Sequence, residues 1–132
     1  MKVFVLEDDP NRVEWMKKNF SPKLEWDLTD QADEAVAILK KEKYDLIFLD
    51  HDLGGEQMVD SSVYNTGYTV AKKIHETKNK DTIVIVHSYN PDGAKNMIDV
   101  MKDNDVTCHY FYFIGNEFIN VVRQINNKAE NE

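Results

Sequence analysis

The sequence predicts a doubly wound α/β domain: five parallel strands in the order 2-1-3-4-5, with five helices covering both faces. Three observations carry that reading. Short apolar runs alternate along the chain with stretches of helical period, the pattern of repeated strand–helix–strand units. Val3-Phe4-Val5-Leu6, Leu46-Ile47-Phe48-Leu49 and Ile83-Val84-Ile85-Val86 are apolar without alternation, as strands covered on both faces are. The pairs Asp9-Pro10 and Asn90-Pro91 follow the first and fourth runs. There the polar residue caps a helix and proline fits its first turn.

The first strand ends in Glu7-Asp8-Asp9, and the first helix runs from Pro10 to about Phe20, with Val13, Met16 and Phe20 on one face. Ser21-Pro22 stops it. Leu24-Glu25-Trp26-Asp27-Leu28 alternates apolar and polar, which suits an edge strand with one wet face. Thr29 or Asp30 caps the second helix, where Ala32, Ala35, Val36 and Leu39 keep helical spacing up to about Glu42. The third strand covers about residues 45–50 and a polar stretch, residues 54–65, follows it. The third helix starts at Gly67 and carries Tyr68, Val70, Ala71 and Ile74 to about Thr77. The fourth strand runs from Thr82 to His87, and the fourth helix carries Ala94, Met97, Ile98 and Met101. Tyr110-Phe111-Tyr112-Phe113-Ile114 reads as the fifth strand, and Gly115-Asn116 opens a last helix reaching Ile125. Residues 127–132 read as a polar tail, leaving 1–126 as one domain.

Crossover handedness and length favour the flavodoxin-like order for such a series. The first and third strands then flank the switch point, and the third and fourth are neighbours. Ligands of these sheets bind beyond the carboxyl ends of the strands. Glu7, Asp8, Asp50, His51, Asp52, His87 and Ser88 gather at that end.

Composition narrows the function. The 132 residues carry a net charge of −8, which argues against binding along a phosphate backbone. Cys108 is the only cysteine, so neither a disulfide framework nor a thiolate metal site is expected. No leader or membrane-spanning run is visible. The expected location is cytoplasmic, with no membrane partner and no DNA-binding output domain.

The chemistry concentrates at Asp50-His51-Asp52 and His87-Ser88. Two imidazoles on adjacent strand ends are expected to face one pocket. An imidazole titrates near neutrality and serves as acid or base, so His51 and His87 are the candidate catalytic pair, with the two roles unassigned. Asp52 or Asp50 orients one of the rings. Ser88 and Asn90 are candidates to hydrogen-bond phosphate oxygens, and the amides at Asp92-Gly93 open a helix, a natural anion seat. Glu7, Asp8 and Asp50 repel one another unless a proton or a cation such as Mg²⁺ relieves them. An aspartate beside Mg²⁺ also accepts a phosphoryl group.

These residues resemble a response-regulator receiver domain over nearly the whole chain. Leu6-Glu7-Asp8-Asp9-Pro10 resembles the acidic pocket, Asp50 the phosphorylated aspartate, Asp52 the position whose backbone carbonyl meets the metal, and Ser88 the switch residue. The lysine and following proline that receivers carry after the fifth strand are absent from Phe113-Ile114-Gly115. His51-Asp52-Leu53-Gly54-Gly55, Thr66-Gly67-Tyr68 and His87-Ser88-Tyr89-Asn90-Pro91-Asp92-Gly93 are similar to the cyclic-phosphate processing receiver domains. That resemblance implies a phosphoesterase-like activity on a small phosphorylated ligand or on the cyclic-phosphate end of a nucleotide or RNA. The alternative is a signalling receiver, phosphorylated on Asp50 with Mg²⁺ or working by protein contacts alone.

Overall fold

The computed structural model describes all 132 residues. Strands β1 (Lys2–Leu6), β2 (Glu25–Thr29), β3 (Leu46–Leu49), β4 (Ile83–Val86) and β5 (Cys108–Tyr110) form one parallel sheet in the order β2-β1-β3-β4-β5. Helices α1 (Pro10–Asn19), α2 (Ala32–Lys41), α3 (Gly67–Lys73), α4 (Pro91–Asp103) and α5 (Asn116–Glu130) connect and follow the strands. Because successive strand residues face opposite ways, the sheet splits its apolar side chains into two layers. Phe4, Leu6, Ile47, Leu49, Val84 and Val86 pack with Leu39, Val70 and Met97 of α2, α3 and α4. Val3, Val5, Phe48 and Ile85 pack with Met16 of α1 and with Phe118 and Val122 of α5. Fold class and strand order are those the sequence predicts.

The differences lie at element ends. β5 stops at Tyr110, four residues short of the expected limit. Phe111 still donates to the Val86 carbonyl at 2.9 Å, but Phe113 is then drawn into the α1–α5 layer. The aromatic run therefore serves packing more than pairing. α5 extends through the stretch expected as a tail, with Ala129 buried against the sheet. α3 gives way after Lys73 to a 3₁₀ turn, Ile74–Glu76. Gln31, not Thr29 or Asp30, holds the N-cap position of α2 and makes no side-chain cap. The Ala32 N–H donates instead to Asn65 Oδ1 at 2.9 Å. A loop distant in sequence supplies the cap, which local pattern reading has no means to find.

Candidate functional site

The carboxyl ends of β1, β3 and β4 open into a cleft of about 310 Å³, lined by Asp8, Arg12, Asp50, Asp52 and Tyr89 and by the turn at residues 55–58. The fold brings the walls close with small residues. A Cβ on Gly67 would lie 1.9 Å from the Asp50 carbonyl oxygen, so only glycine lets α3 start against the end of β3. Gly54 and Gly55 take φ of +74° and +78°, a region that L side chains avoid, and turn the chain back beside Asp8. The Gly55 N–H donates to Asp8 Oδ2 at 2.7 Å.

One wall is charged. Glu7, fully buried, accepts from His87 Nε2 at 2.9 Å and from Arg12 Nη1 at 3.2 Å on one oxygen. Its other oxygen accepts the N–H groups of Asp8 and Asp9. Arg12 Nη1 also lies 3.4 Å from Asp50 Oδ2. Burial by itself would raise Glu7; the His87 hydrogen bond and the His87 and Arg12 charges outweigh it and hold that carboxyl well below the usual range. Asp50 moves the other way. Burial and then the Glu7 charge push it well up, and Arg12 offsets only part. Asp8 is also raised, by burial and by the Glu7 charge, against the Gly55 hydrogen bond. His87 Nδ1 is sealed from solvent without a hydrogen-bond partner, among the rings of Phe48, Phe113 and Phe118.

The other wall is a clamp on the loop. His51 Nδ1 meets Asp52 Oδ1 at 2.8 Å, and His51 Nε2 meets Ser61 Oγ at 2.9 Å. Asp52 further accepts from Asn90 Nδ2 and from the N–H groups of Met58 and Val59. Burial would raise Asp52, but these donors hold its carboxyl below the ordinary value. Asn90 Nδ2 also reaches the Val59 carbonyl, while Asn90 Oδ1 caps α4 through the Gly93 N–H. A Cβ on Gly93 would meet the His51 ring at 2.4 Å, so the glycine is the floor on which that imidazole lies.

The sequence-predicted residues therefore divide. Asp8, Asp50 and Asp52 line the cleft, with Glu7 directly behind. His51 and His87 do not share a pocket: both rings are fully buried, one clamping the loop and the other bound to Glu7 beneath the aromatic core. Ser88, Asn90 and Gly93 are buried as well. The Ser88 hydroxyl accepts from the Asn90 N–H, so the polar groups expected to hold phosphate are consumed by the turn into α4. Two cleft residues escape a sequence reading, Arg12 and Tyr89. Arg12 carries a signal all the same: it lies in the first turn of α1, which holds no acid, although a helix N-terminus favours acids and disfavours cations.

The donor chemistry fits a hard divalent cation in part. One atom each of Glu7, Asp50 and His87 lies within 4.8 Å of the others. Both Glu7 oxygens are already engaged, however, and His87 Nε2 is spent on one of them. Asp8 and Asp50 suit better: both line the cleft and both are raised by neighbouring negative charge, which a cation relieves.

The family model described as "Cyclic-phosphate processing Receiver domain" matches residues 1–103. No curated protein matches the chain. Among solved structures, the chain is similar to the receiver domain of the Francisella response regulator 1452, at 22% identity and TM-score 0.63, over 97% of this chain and 98% of that one. It is similar to the receiver domain of a sensor histidine kinase from Pseudomonas aeruginosa PAO1, which has a magnesium ion in its active-site cleft. There the identity is 15% and the TM-score 0.66, over 96% and 97% of the two chains. The response regulator TrrA from Thermotoga maritima, in complex with Mg²⁺-BeF, gives 22% identity and TM-score 0.64, over 94% and 97%.

Proposed function

Since the chain belongs to the cyclic-phosphate processing receiver domains, we propose that its acidic cleft takes up a cyclic phosphate and opens it by carboxyl acid–base chemistry. One observation carries the reading: Asp50 lines the cleft with Arg12 Nη1 3.4 Å from its Oδ2, while both imidazoles are buried behind carboxylates. In the reaction a water oxygen bonds to phosphorus, one ring P–O bond breaks, and the departing oxygen gains a proton. A carboxyl held near neutrality takes the proton from water or delivers it to the departing oxygen. His87 and His51 are positioning residues for Glu7 and Asp52. Were Mg²⁺ bound, Asp8, Asp50 and the Asp52 carbonyl would hold it, Asp50 would serve as an ionised ligand and not as the acid or base, and the metal would supply positive charge to the phosphoryl oxygens. The substrate is a small phosphorylated ligand or a nucleotide or RNA end in the cytoplasm, and no helix of the chain is long and apolar enough to cross a membrane.

The test is hydrolysis of 2′,3′-cyclic and 3′,5′-cyclic nucleotides and of a cyclic sugar phosphate, with Mg²⁺ and with EDTA. Turnover abolished by Asp50→Asn, and only reduced by His51→Gln or His87→Gln in the fraction that remains folded, supports the reading. Full loss in a folded histidine variant returns the chemistry to the imidazoles. Failure on every substrate sinks the hydrolase. A second reading rests on the same Asp50, which ends β3 where receivers carry their phosphoacceptor. An acid-labile phosphoryl adduct formed from acetyl phosphate, and lost in Asp50→Asn, would favour it.

A further inference from the structure

Arg12 is the one basic side chain among the residues lining the cleft. Of its three nitrogens only Nη1 has a protein partner, Glu7 at 3.2 Å with Asp50 at 3.4 Å. Nε and Nη2 make no hydrogen bond within the protein, and neither is among the buried atoms lacking a partner, so both keep contact with solvent. Those two nitrogens form one edge of the planar guanidinium, the edge that grips two oxygens of a phosphate in parallel. The group is also held in place. Its central carbon lies 4.4 Å from the Tyr89 ring centroid, and the Tyr89 hydroxyl donates to the Phe113 carbonyl at 3.0 Å, which fixes the ring on which the guanidinium stacks.

We propose that the free Nε–Nη2 edge of Arg12, stacked on Tyr89, is the phosphate-binding fork of this cleft. The assignment rests on the reading of the cleft as a phosphate site and names the group that recognises the anion there. It also answers a gap in the sequence: with no lysine in Phe113-Ile114-Gly115, the cation comes from α1 instead. The setting explains why a fork is needed. Asp8, Asp9, Asp52 and Glu56 repel an anion from the rest of the lining, so binding is confined to the single edge that offers two donors. Tyr89 is a positioning residue, acting through Arg12.

The chain holds only two arginines, Arg12 and the exposed Arg123 of α5, and this makes the test direct. Inorganic phosphate, then 2′,3′-cyclic AMP, is titrated into the wild-type protein in EDTA while the two arginine Nε–H signals are followed by ¹H–¹⁵N NMR. The expected result is a saturable shift of the Arg12 signal with Arg123 unmoved. Arg12→Lys keeps the charge and loses the fork, and should weaken binding about 10- to 100-fold. Tyr89→Ala should weaken it less, with the Arg12 signal still responding. An Arg12 signal that stays still while the protein binds or hydrolyses a cyclic phosphate overturns the fork and leaves the proposed function standing. Equal affinity in folded Arg12→Lys also overturns it. No binding of phosphate or cyclic phosphate by the wild type in EDTA overturns the fork, and no binding with Mg²⁺ either removes the proposed function as well. The spectrum of the unaltered chain decides the matter even where a variant fails to fold.

Discussion

Two histidines end neighbouring strands, are equally sealed from water, and are held in opposite ways. His51 has a partner on each ring nitrogen, Asp52 on one side and Ser61 on the other. His87 has Glu7 on Nε2 and nothing on Nδ1. The His51 wall is a closed network whose every member restrains the 54–65 loop. The His87 wall holds an unpaired nitrogen, two carboxyls driven apart in pKa and an arginine with donors to spare. A satisfied buried network buys rigidity, while capacity for chemistry is left where charges are crowded and incompletely paired. The contrast assigns scaffold to one strand end and reactivity to the other.

The most severe way to break it is Gly93→Ala. The added Cβ meets the His51 ring at 2.4 Å, and the ring, bonded at both nitrogens, has nowhere to go. The expected loss is on the order of 3 kcal/mol or more, read from urea unfolding midpoints. Gly55→Ala is the control. It has no atom within 4 Å and only an unfavourable φ of +78°, so about 1 kcal/mol is expected. Equal losses in the two variants would mean that the His51 ring is not fixed.

On the charged wall, two near-isosteric changes should act in opposite directions. Glu7→Gln leaves Arg12 and His87 facing a neutral amide and should cost about 3 kcal/mol. Asp50→Asn should stabilise the folded protein by a few kcal/mol near pH 7 in EDTA. The sign follows from linkage. Burial and the Glu7 charge raise Asp50 to about 8 in the folded chain from an ordinary 3.8. Between those values the folded state binds more protons than the unfolded one, so stability falls as pH rises across that window. Asp50→Asn should flatten that fall, and urea titrations from pH 4 to 8 check it. Stability that rises in the wild type over the same range would mean that the Glu7–Asp50 pair retains no proton in the folded chain.

The sequence makes the strand order and the acidic end of the sheet legible, because both follow from apolar runs and from where they stop. It also marks His51, Asp52, His87 and Asn90 as unusual, and all four sit at that end, Asp52 in the cleft lining and the other three buried. What it does not disclose is direction. A histidine after an apolar run reads the same whether its ring enters a cleft or, as with His87, turns under Phe48 and Phe118. The Asn65 cap on α2 and the Arg12–Asp50 pair join residues more than thirty positions apart, beyond any local period. Arg12 alone left a trace, a cation in a helix's first turn.

The finest distinction between the walls is testable at Ser61. A carboxylate only accepts, so Asp52 requires a proton on His51 Nδ1. In the neutral ring Nε2 then accepts from the Ser61 hydroxyl, whose oxygen accepts from Asn96 Nδ2 at 2.9 Å. The donors run one way, from Asn96 through Ser61 and His51 to Asp52. Ser61→Ala removes the middle of that chain and leaves His51 Nε2 without a partner, the condition in which His87 Nδ1 stands. The expected cost is about 1 kcal/mol, with faster amide exchange at Met58 and Val59, whose N–H groups hang from Asp52. Imidazole ¹⁵N shifts should keep the His51 proton on Nδ1. If the proton moves to Nε2 instead, Asp52 is not the anchor of the ring, and the contrast between the two histidines fails at its base.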